Sequence, residues 1–308
     1  MPKPPLIVIL GPTAVGKTGI AIELAERLGG EIVSADSRLF YRGLDIGTAK
    51  PSLSERERVP HHLIDVAEPD ETWSLGRFQE AAREVIADIH TRSRVPILVG
   101  GTGQFVLAVT EGWSPPRVPA NERLRFVLET LAAERDPLWL HSRLASVDPA
   151  AATSIDPRNL RRTVRAWEVI LSTGQRFSEQ RARSDSPYTL CLIGLIRPRP
   201  ELYARLDGRI EAMFETGLIE EVRGLLAQGY SADLPSMSAI GYRECAAVLR
   251  GEMSLHEAKT QMKRLTRVFV RRQANWFKAN DPAIRWFDAG QTQLEQIEAF
   301  IYASLGQH

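Results

Sequence analysis

Eight residues, Gly11-Pro12-Thr13-Ala14-Val15-Gly16-Lys17-Thr18, carry the spacing G-x-x-x-x-G-K-T. The chemistry that suits this spacing is the holding of linked phosphates. Glycines let successive backbone N–H groups turn inward around an anion. A helix starting there adds about half a positive charge at its N-terminus, and Lys17 adds a whole one. Thr18 stands where a hydroxyl ligates Mg²⁺. Two further residues with chemistry to offer, the carboxylate Asp36 and the hydroxyl Thr102, follow short apolar runs elsewhere in the chain.

The elements around these residues read as α/β. Leu6-Ile7-Val8-Ile9-Leu10 is a buried strand, and Ile20, Ala21, Leu24, Ala25 and Leu28 mark the helix that follows and stops at Gly29-Gly30. Glu31 to Asp36 is a second strand. A helix capped by Ser74, with Phe78, Ala82, Val85, Ile86 and Ile89 on one face, leads to a third strand at Val95–Val99. Strands alternating with helices predict a P-loop NTPase-like parallel sheet flanked by helices, with ligands at the C-terminal strand ends. Lys17, Asp36 and Thr102 each lie just past such an end, so they are expected to meet at one edge. From Asn121 to about Gly174 the pattern is helical throughout, and Tyr188–Leu195 returns as a strand. The predicted organisation is an α/β core of residues 1–116 and 188–308, interrupted by an all-helical insertion of residues 117–187. Residues 200–308 read as mostly helical.

The chain has 308 residues, 44% hydrophobic and 25% charged, with a net charge of +1. These are ordinary values for a globular enzyme, and they exclude a globally basic nucleic-acid binder. No segment approaches the ~18 apolar residues of a membrane span. Cys191 and Cys245 are too few for a metal cluster and fit a reducing cytoplasm. His61-His62 points its rings in different directions with no third ligand near, which favours packing. Nothing in the charge balance suggests self-association, so a monomer is expected.

Basic residues are nevertheless segregated. Asp156-Pro157 reads as a helix start, followed by an apolar stripe (Leu160, Val164, Trp167, Leu171) and a basic one (Arg158, Arg161, Arg162, Arg165) with no acid before Glu168. Between Ala258 and Asn280 seven basic residues, Lys259, Lys263, Arg264, Arg267, Arg271, Arg272 and Lys278, meet no acidic one. There Ala258, Met262, Leu265, Phe269 and Trp276 form the expected core-facing stripe. A solvated face is the ordinary meaning of one such run. Two of them in a nearly neutral chain point to a polyanion.

The strand Val95–Val99 runs into Gly100-Gly101-Thr102, not into the acid that holds Mg²⁺ in an ATPase or kinase. Nucleotide hydrolysis is therefore disfavoured. Ordered strings along nearly the whole chain resemble the tRNA dimethylallyltransferases: Gly11 to Thr18, Ser34-Ala35-Asp36-Ser37, YRGLDIGTAKP from Tyr41 to Pro51, His61 to Asp65, Val99 to Gly103, Arg165 to Val169, Ala239 to Glu244, and Arg272-Gln273 with Trp276-Phe277.

That resemblance implies transfer of a dimethylallyl group from dimethylallyl diphosphate to N6 of adenosine 37 beside the tRNA anticodon. The adenine amino group is a poor nucleophile, and a carboxylate beside its N–H could take a proton as the C–N bond forms; Asp36 is the choice for that base. Lys17, the loop amides, Thr13 and Mg²⁺ on Thr18 would neutralise the departing diphosphate, and Arg209 matches a family arginine expected to help. Thr102 would orient the amino group or a phosphate oxygen. The resemblance assigns Asp36, Ser37, Arg38, Leu39 and Thr102 to the nucleotide side, and Arg125, Arg161, Arg162 and Arg165 to the anticodon stem. Leu39-Phe40 and Gln104-Phe105-Val106 depart from the family pattern and are expected to reshape the base or prenyl pocket. The alternatives are a transferase acting on free AMP, ADP or ATP, an RNA-remodelling ATPase, and a plain RNA-binding module.

Overall fold

A computed structural model describes residues 3–111, 116, 118–136, 138–180 and 185–306. The chain divides into two compact units, residues 1–110 with 186–308, and residues 111–185.

The larger unit is built on β1 (Pro5–Leu10), β2 (Gly30–Ser34), β3 (His61–His62), β4 (Val95–Gly100), β5 (Thr189–Ile196) and β6 (Ile284–Asp288). They form one parallel sheet in the order β3-β2-β4-β1-β5-β6. Around it, in chain order, pack α1 (Lys17–Leu28), α2 (Leu53–Arg58), α3 (Leu75–Thr91) and α4 (Gly103–Thr110). The smaller unit holds α5 (Glu122–Glu134), α6 (Trp139–Val147), α7 (Pro149–Ser154) and α8 (Leu160–Thr173). The larger unit resumes with α9 (Arg199–Glu215), α10 (Leu218–Ala227), α11 (Tyr242–Leu249), α12 (Leu255–Gln273) and α13 (Leu294–Leu305).

Strand β1 explains the architecture. Its neighbours β4 and β5 pair both its edges, and cores on either side of the sheet bury both its faces, so its sequence is apolar throughout. Leu6, Val8 and Leu10 belong to a core with Phe40, Phe78, Ile86, Leu98 and Tyr242. Ile7 and Ile9 face the opposite way, into a core with Ile22, Leu24, Ile97, Ile193 and Phe287. Ser74 caps α3 as expected, its hydroxyl accepting from Arg77 N–H at 3.1 Å.

Two edge strands escaped the sequence reading. β3 is only two residues long, and β6 lies in the stretch read as mostly helical. β6 is short and carries an exposed Arg285 between a buried Ile284 and a half-buried Trp286, so neither length nor apolar run announces it.

The smaller unit is helical among its described residues. Leu144, Ala166, Val169, Ile170 and Phe177 form one core, and Leu128, Ala132, Leu140 and Val164 a second. Trp167 packs against both and donates its Nε1–H to Leu140 O at 3.0 Å. Helix α8 begins later than expected. Asn159 is its cap, accepting from Arg162 N–H, while Asp156 holds the preceding turn through Arg158 N–H. Arg158 therefore lies off the helix and pairs with Asp156. No described helix is long and apolar enough to cross a membrane.

Candidate active site

The turn after β1 wraps back on itself. Lys17 Nζ donates to Gly11 O and Pro12 O, both at 3.0 Å, so the cation sits beneath its own loop. Gly16 caps α1 with φ +113, a left-handed value that favours glycine. Ala14, at φ +64, shares that region without the glycine's freedom. Its carbonyl accepts from Arg205 Nε at 3.0 Å, and the Val15 carbonyl accepts from Arg197 Nε at 2.9 Å. Outward carbonyls are thus held by arginines, leaving the first amides of α1 open toward the cavity. Val15 itself is wholly buried in the core.

A cavity of about 940 Å³ opens beside this turn. Thr13, Ala14, Gly16, Lys17 and Thr18 line it, together with Asp36, Ser37, Arg38 and Leu39 from beyond β2, Thr102 from beyond β4, and Arg205 and Arg209 from α9. Residues expected to gather at one sheet edge therefore share one space. Gly11, Pro12 and Val15 stand behind it. Leu206, Ile210, Met213, Ile240, Met262 and Phe269 make its apolar wall.

The electrostatics follow from burial. Desolvation lowers the Lys17 pKa to about 8, against the opposing pull of Asp36 and with a further push from Arg209. Arg209 is likewise lowered chiefly by burial, with Asp36 opposing and Arg205 adding to the shift. Asp36 Oδ1 accepts from Arg38 N–H at 3.0 Å. Among the described residues no hydrogen bond engages its Oδ2. The Arg38 guanidinium is occupied by protein acceptors, Pro235 O at 3.0 Å, Ser236 O at 3.3 Å and Ser238 Oγ at 3.1 Å. It lines the cavity while anchoring the 3-10 turn Ser236–Ser238.

The chain matches the IPP transferase family model over residues 39–280, and an isopentenyl transferase model over residues 4–68. A tRNA dimethylallyltransferase from Roseiflexus sp. (strain RS-1) is 51% identical over 297 residues, 96% of this chain and 97% of the relative. The crystal structure of a tRNA isopentenylpyrophosphate transferase from Bacillus halodurans superposes with a TM-score of 0.74 at 42% identity, covering 98% and 97% of the two chains. A eukaryotic dimethylallyltransferase, solved acting on tRNA, gives 0.80 at 29% identity over 96% of this chain and 76% of its own. The chain belongs to the tRNA dimethylallyltransferase family.

The longest family string is explained by scaffolding. Within D-I-G-T-A-K-P, the backbone N–H groups of Asp45, Ile46 and Gly47 all donate to the Glu221 carboxylate, which also accepts from Tyr242 Oη at 2.6 Å. Gly47 lies against the Tyr242 ring, where a Cβ would come within 2.5 Å of it. Lys50 is almost fully buried and bonds Tyr41 O, Asp45 and Asp65. Two tRNA dimethylallyltransferase strings, one around Asp45 and one around Tyr242, thus exist to fit one another. His62 serves packing, its Nε2 bonding Glu31, while His61 bonds Val59 O through Nδ1, lines the cavity and keeps a buried Nε2 with no hydrogen-bond partner among the described residues. Among the described residues no histidine, cysteine or acid cluster could hold a metal.

Several expectations need correction. Phe40 and Phe105, both departures from the family pattern, line no part of the cavity. They pack on each other at 5.8 Å and on Phe78 at 5.6 and 4.8 Å, beneath the site, whereas Leu39, the other residue of the first departure, does line the cavity. Phe269 and Trp276, expected in the core, are 39% and 46% exposed. Three of the seven basic residues in the α12 run are compensated by acids from α9, whereas Arg264, Arg271, Arg272 and Lys278 have no ion pair among the described residues. Lys259 and Lys263 both bond Glu211, and Arg267 bonds Asp207. In the smaller unit Arg125 and Arg165 converge on the buried Glu168, at 2.9 and 2.5 Å. Burial tends to raise that carboxyl, but hydrogen bonds from Arg125, Asn121 N–H and Arg165 hold it below the usual range. Arg161 and Arg162 are exposed, with no ion pair among the described residues.

Gln273, named in the sequence only within the Arg272-Gln273 family string, bridges two loops of the site, 260 and 172 positions from its partners. No local pattern could have revealed that contact.

Proposed function

We propose that this chain transfers the dimethylallyl group of dimethylallyl diphosphate to N6 of adenosine 37 in tRNA, with Asp36 as the general base. The observation that supports this most directly is one cavity lined by a phosphate cradle (Lys17, Thr18, Arg209), a carboxylate with a free oxygen (Asp36) and an apolar wall. The diphosphate would rest on the loop amides, Lys17 and Arg209, with the five-carbon chain against the wall containing Ile210, Met213 and Phe269.

Adenine N6 attacks C1 of the prenyl group while the C1–O bond breaks, and the electron pair leaves on diphosphate. The N6 proton passes to Asp36, and Thr102 orients the amino group. Negative charge builds on the leaving oxygen, where fixed cations act most strongly in a site closed to water. The base must first leave its stack, at a cost of a few kcal/mol. Arg161 and Arg162 of α8 would grip the anticodon stem.

The chain fits a lightly held Mg²⁺. Thr18 supplies one hydroxyl and β4 is followed by no acid, so the remaining ligands would be diphosphate oxygens and waters, as this ion prefers. The ion would neutralise charge on the leaving group. Buried thiols and the lack of a described membrane-spanning helix agree with a cytoplasmic enzyme, which we take to act as a monomer.

Incubation with unmodified tRNA and dimethylallyl diphosphate, followed by digestion to nucleosides, should release N6-dimethylallyladenosine. Absence of that nucleoside, or equal transfer to free AMP, would refute the assignment.

A further inference from the structure

One buried side chain joins the two loops that carry this chemistry, and no role above includes it. Gln273, the last residue of α12, accepts from Thr13 N–H through Oε1 at 2.9 Å and donates from Nε2 to Gly101 O at 3.1 Å. It is 7% exposed. Its amide fills the gap between the two loops so closely that Gly101 must lack a side chain. A Cβ there would lie 2.5 Å from Gln273 Nε2, 3.0 Å from Gly11 O and 3.4 Å from Lys17 Nζ.

The two bonds each fix a peptide plane. In a trans peptide the carbonyl and N–H point in opposite directions. Holding Thr13 N–H therefore turns Pro12 O away from Gln273, toward Lys17 Nζ at 3.0 Å. Holding Gly101 O likewise turns Thr102 N–H the other way, at the residue whose side chain lines the cavity. We infer that Gln273 is a positioning residue, which sets the Pro12–Thr13 and Gly101–Thr102 peptide planes and so keeps Lys17 in register with Thr102. An amide suits the task because it offers one donor and one acceptor in a rigid plane and no charge to compete with Lys17.

The inference rests on the reading that the cavity holds an isoprenoid diphosphate. Its test compares Gln273→Met, of similar volume but with neither bond, against the parent enzyme. The measurements are kcat, KM for dimethylallyl diphosphate, tRNA Kd and Tm. Losing two bonds of ordinary strength should raise the donor KM about tenfold and lower kcat by a similar factor, with tRNA affinity unchanged. Gln273→Glu supplies an independent check. Protonated, its carboxyl again offers one donor and one acceptor, so its kcat/KM relative to the parent should rise as pH falls. Ionised, it sets a negative charge against the Gly101 carbonyl, and the relative activity should drop. This second variant decides the matter should Gln273→Met fail to fold. A folded Gln273→Met within twofold of the parent in both kcat and donor KM would overturn the inference. So would a Gln273→Glu ratio independent of pH, or a loss confined to Tm and tRNA affinity. A parent that neither binds nor consumes the donor would overturn the functional reading first.

Discussion

Buried under its own loop, Lys17 holds its proton less firmly than a free lysine, with a pKa of about 8. Burial lowers it, Asp36 opposes, and Arg209 adds to the lowering. The sign of the consequence is fixed. Below about pH 8 the free enzyme presents a cation to the diphosphate, and above it an amine. Donor KM should therefore rise between pH 8 and 9.5, with little contribution from this group below pH 7. Binding an anion favours the protonated form, so complex formation near pH 8 should take up protons. Calorimetry in buffers of different ionisation enthalpy would detect that uptake. Lys17→Arg stays charged throughout and should flatten the rise whatever it does to absolute affinity. Asp36 offers a separate test. Asp36→Asn keeps the acceptor for Arg38 N–H and removes the base. Single-turnover rates should fall by about 10²–10⁴ while tRNA Kd stays within a few-fold. Equal losses in rate and affinity would make Asp36 a binding residue.

At the level of elements, charge must be counted in space. Lys259, Lys263 and Arg267 of α12 looked uncompensated because their acids, Asp207 and Glu211, belong to α9. Two lysines on Glu211 hold its carboxyl down at about 2 through their hydrogen bonds. In α8 the same accounting separates arginines that were alike in sequence. Arg161→Ala with Arg162→Ala should weaken tRNA binding and reduce the magnitude of the salt slope by about two, read from log Kd against log salt. Arg125→Ala with Arg165→Ala should instead destabilise the helical unit by on the order of 3 kcal/mol, because Glu168 is left buried and unpaired, and this is readable in denaturant. Glu221→Ala removes the acceptor for three backbone amides and a tyrosine, and should lower Tm with a rise in both substrate KM values.

These contrasts mark what the sequence made legible. The P-loop, Asp36 and Thr102 could be read because each follows a strand within a few residues, so local spacing alone brings them to one edge. The Ser74 cap was readable for the same reason. Strand β6, the Glu211 pairs, the Phe40–Phe105 contact and Gln273 were not, because each depends on partners far away in the chain. The arginines of α8 fell between these cases. Their stripe was visible, but which of them faced Glu168 was not.

Across the whole molecule, Cys191 and Cys245 report on integrity. Both are buried, and burial raises their pKa values to about 11 and about 12. Iodoacetamide at pH 8 should label neither in the native protein and both after denaturation, since the thiolate is the reactive form. Labelling of one thiol before the other would show that the larger unit opens in parts. The same unit is stitched from chain segments made at opposite times. Strand β1 has β4 on one side early, but waits for β5 on the other until the ribosome has passed residue 196. Thr13 acquires its partner only when residue 273 emerges. At roughly 5–20 residues per second, the nascent chain spends about 5–20 s with a half-paired central strand, and longer with a loop that lacks its outer braces. A growing polypeptide of this kind cannot capture a scarce isoprenoid before synthesis is nearly done, and chaperones have that interval in which to shield the open flank of β1.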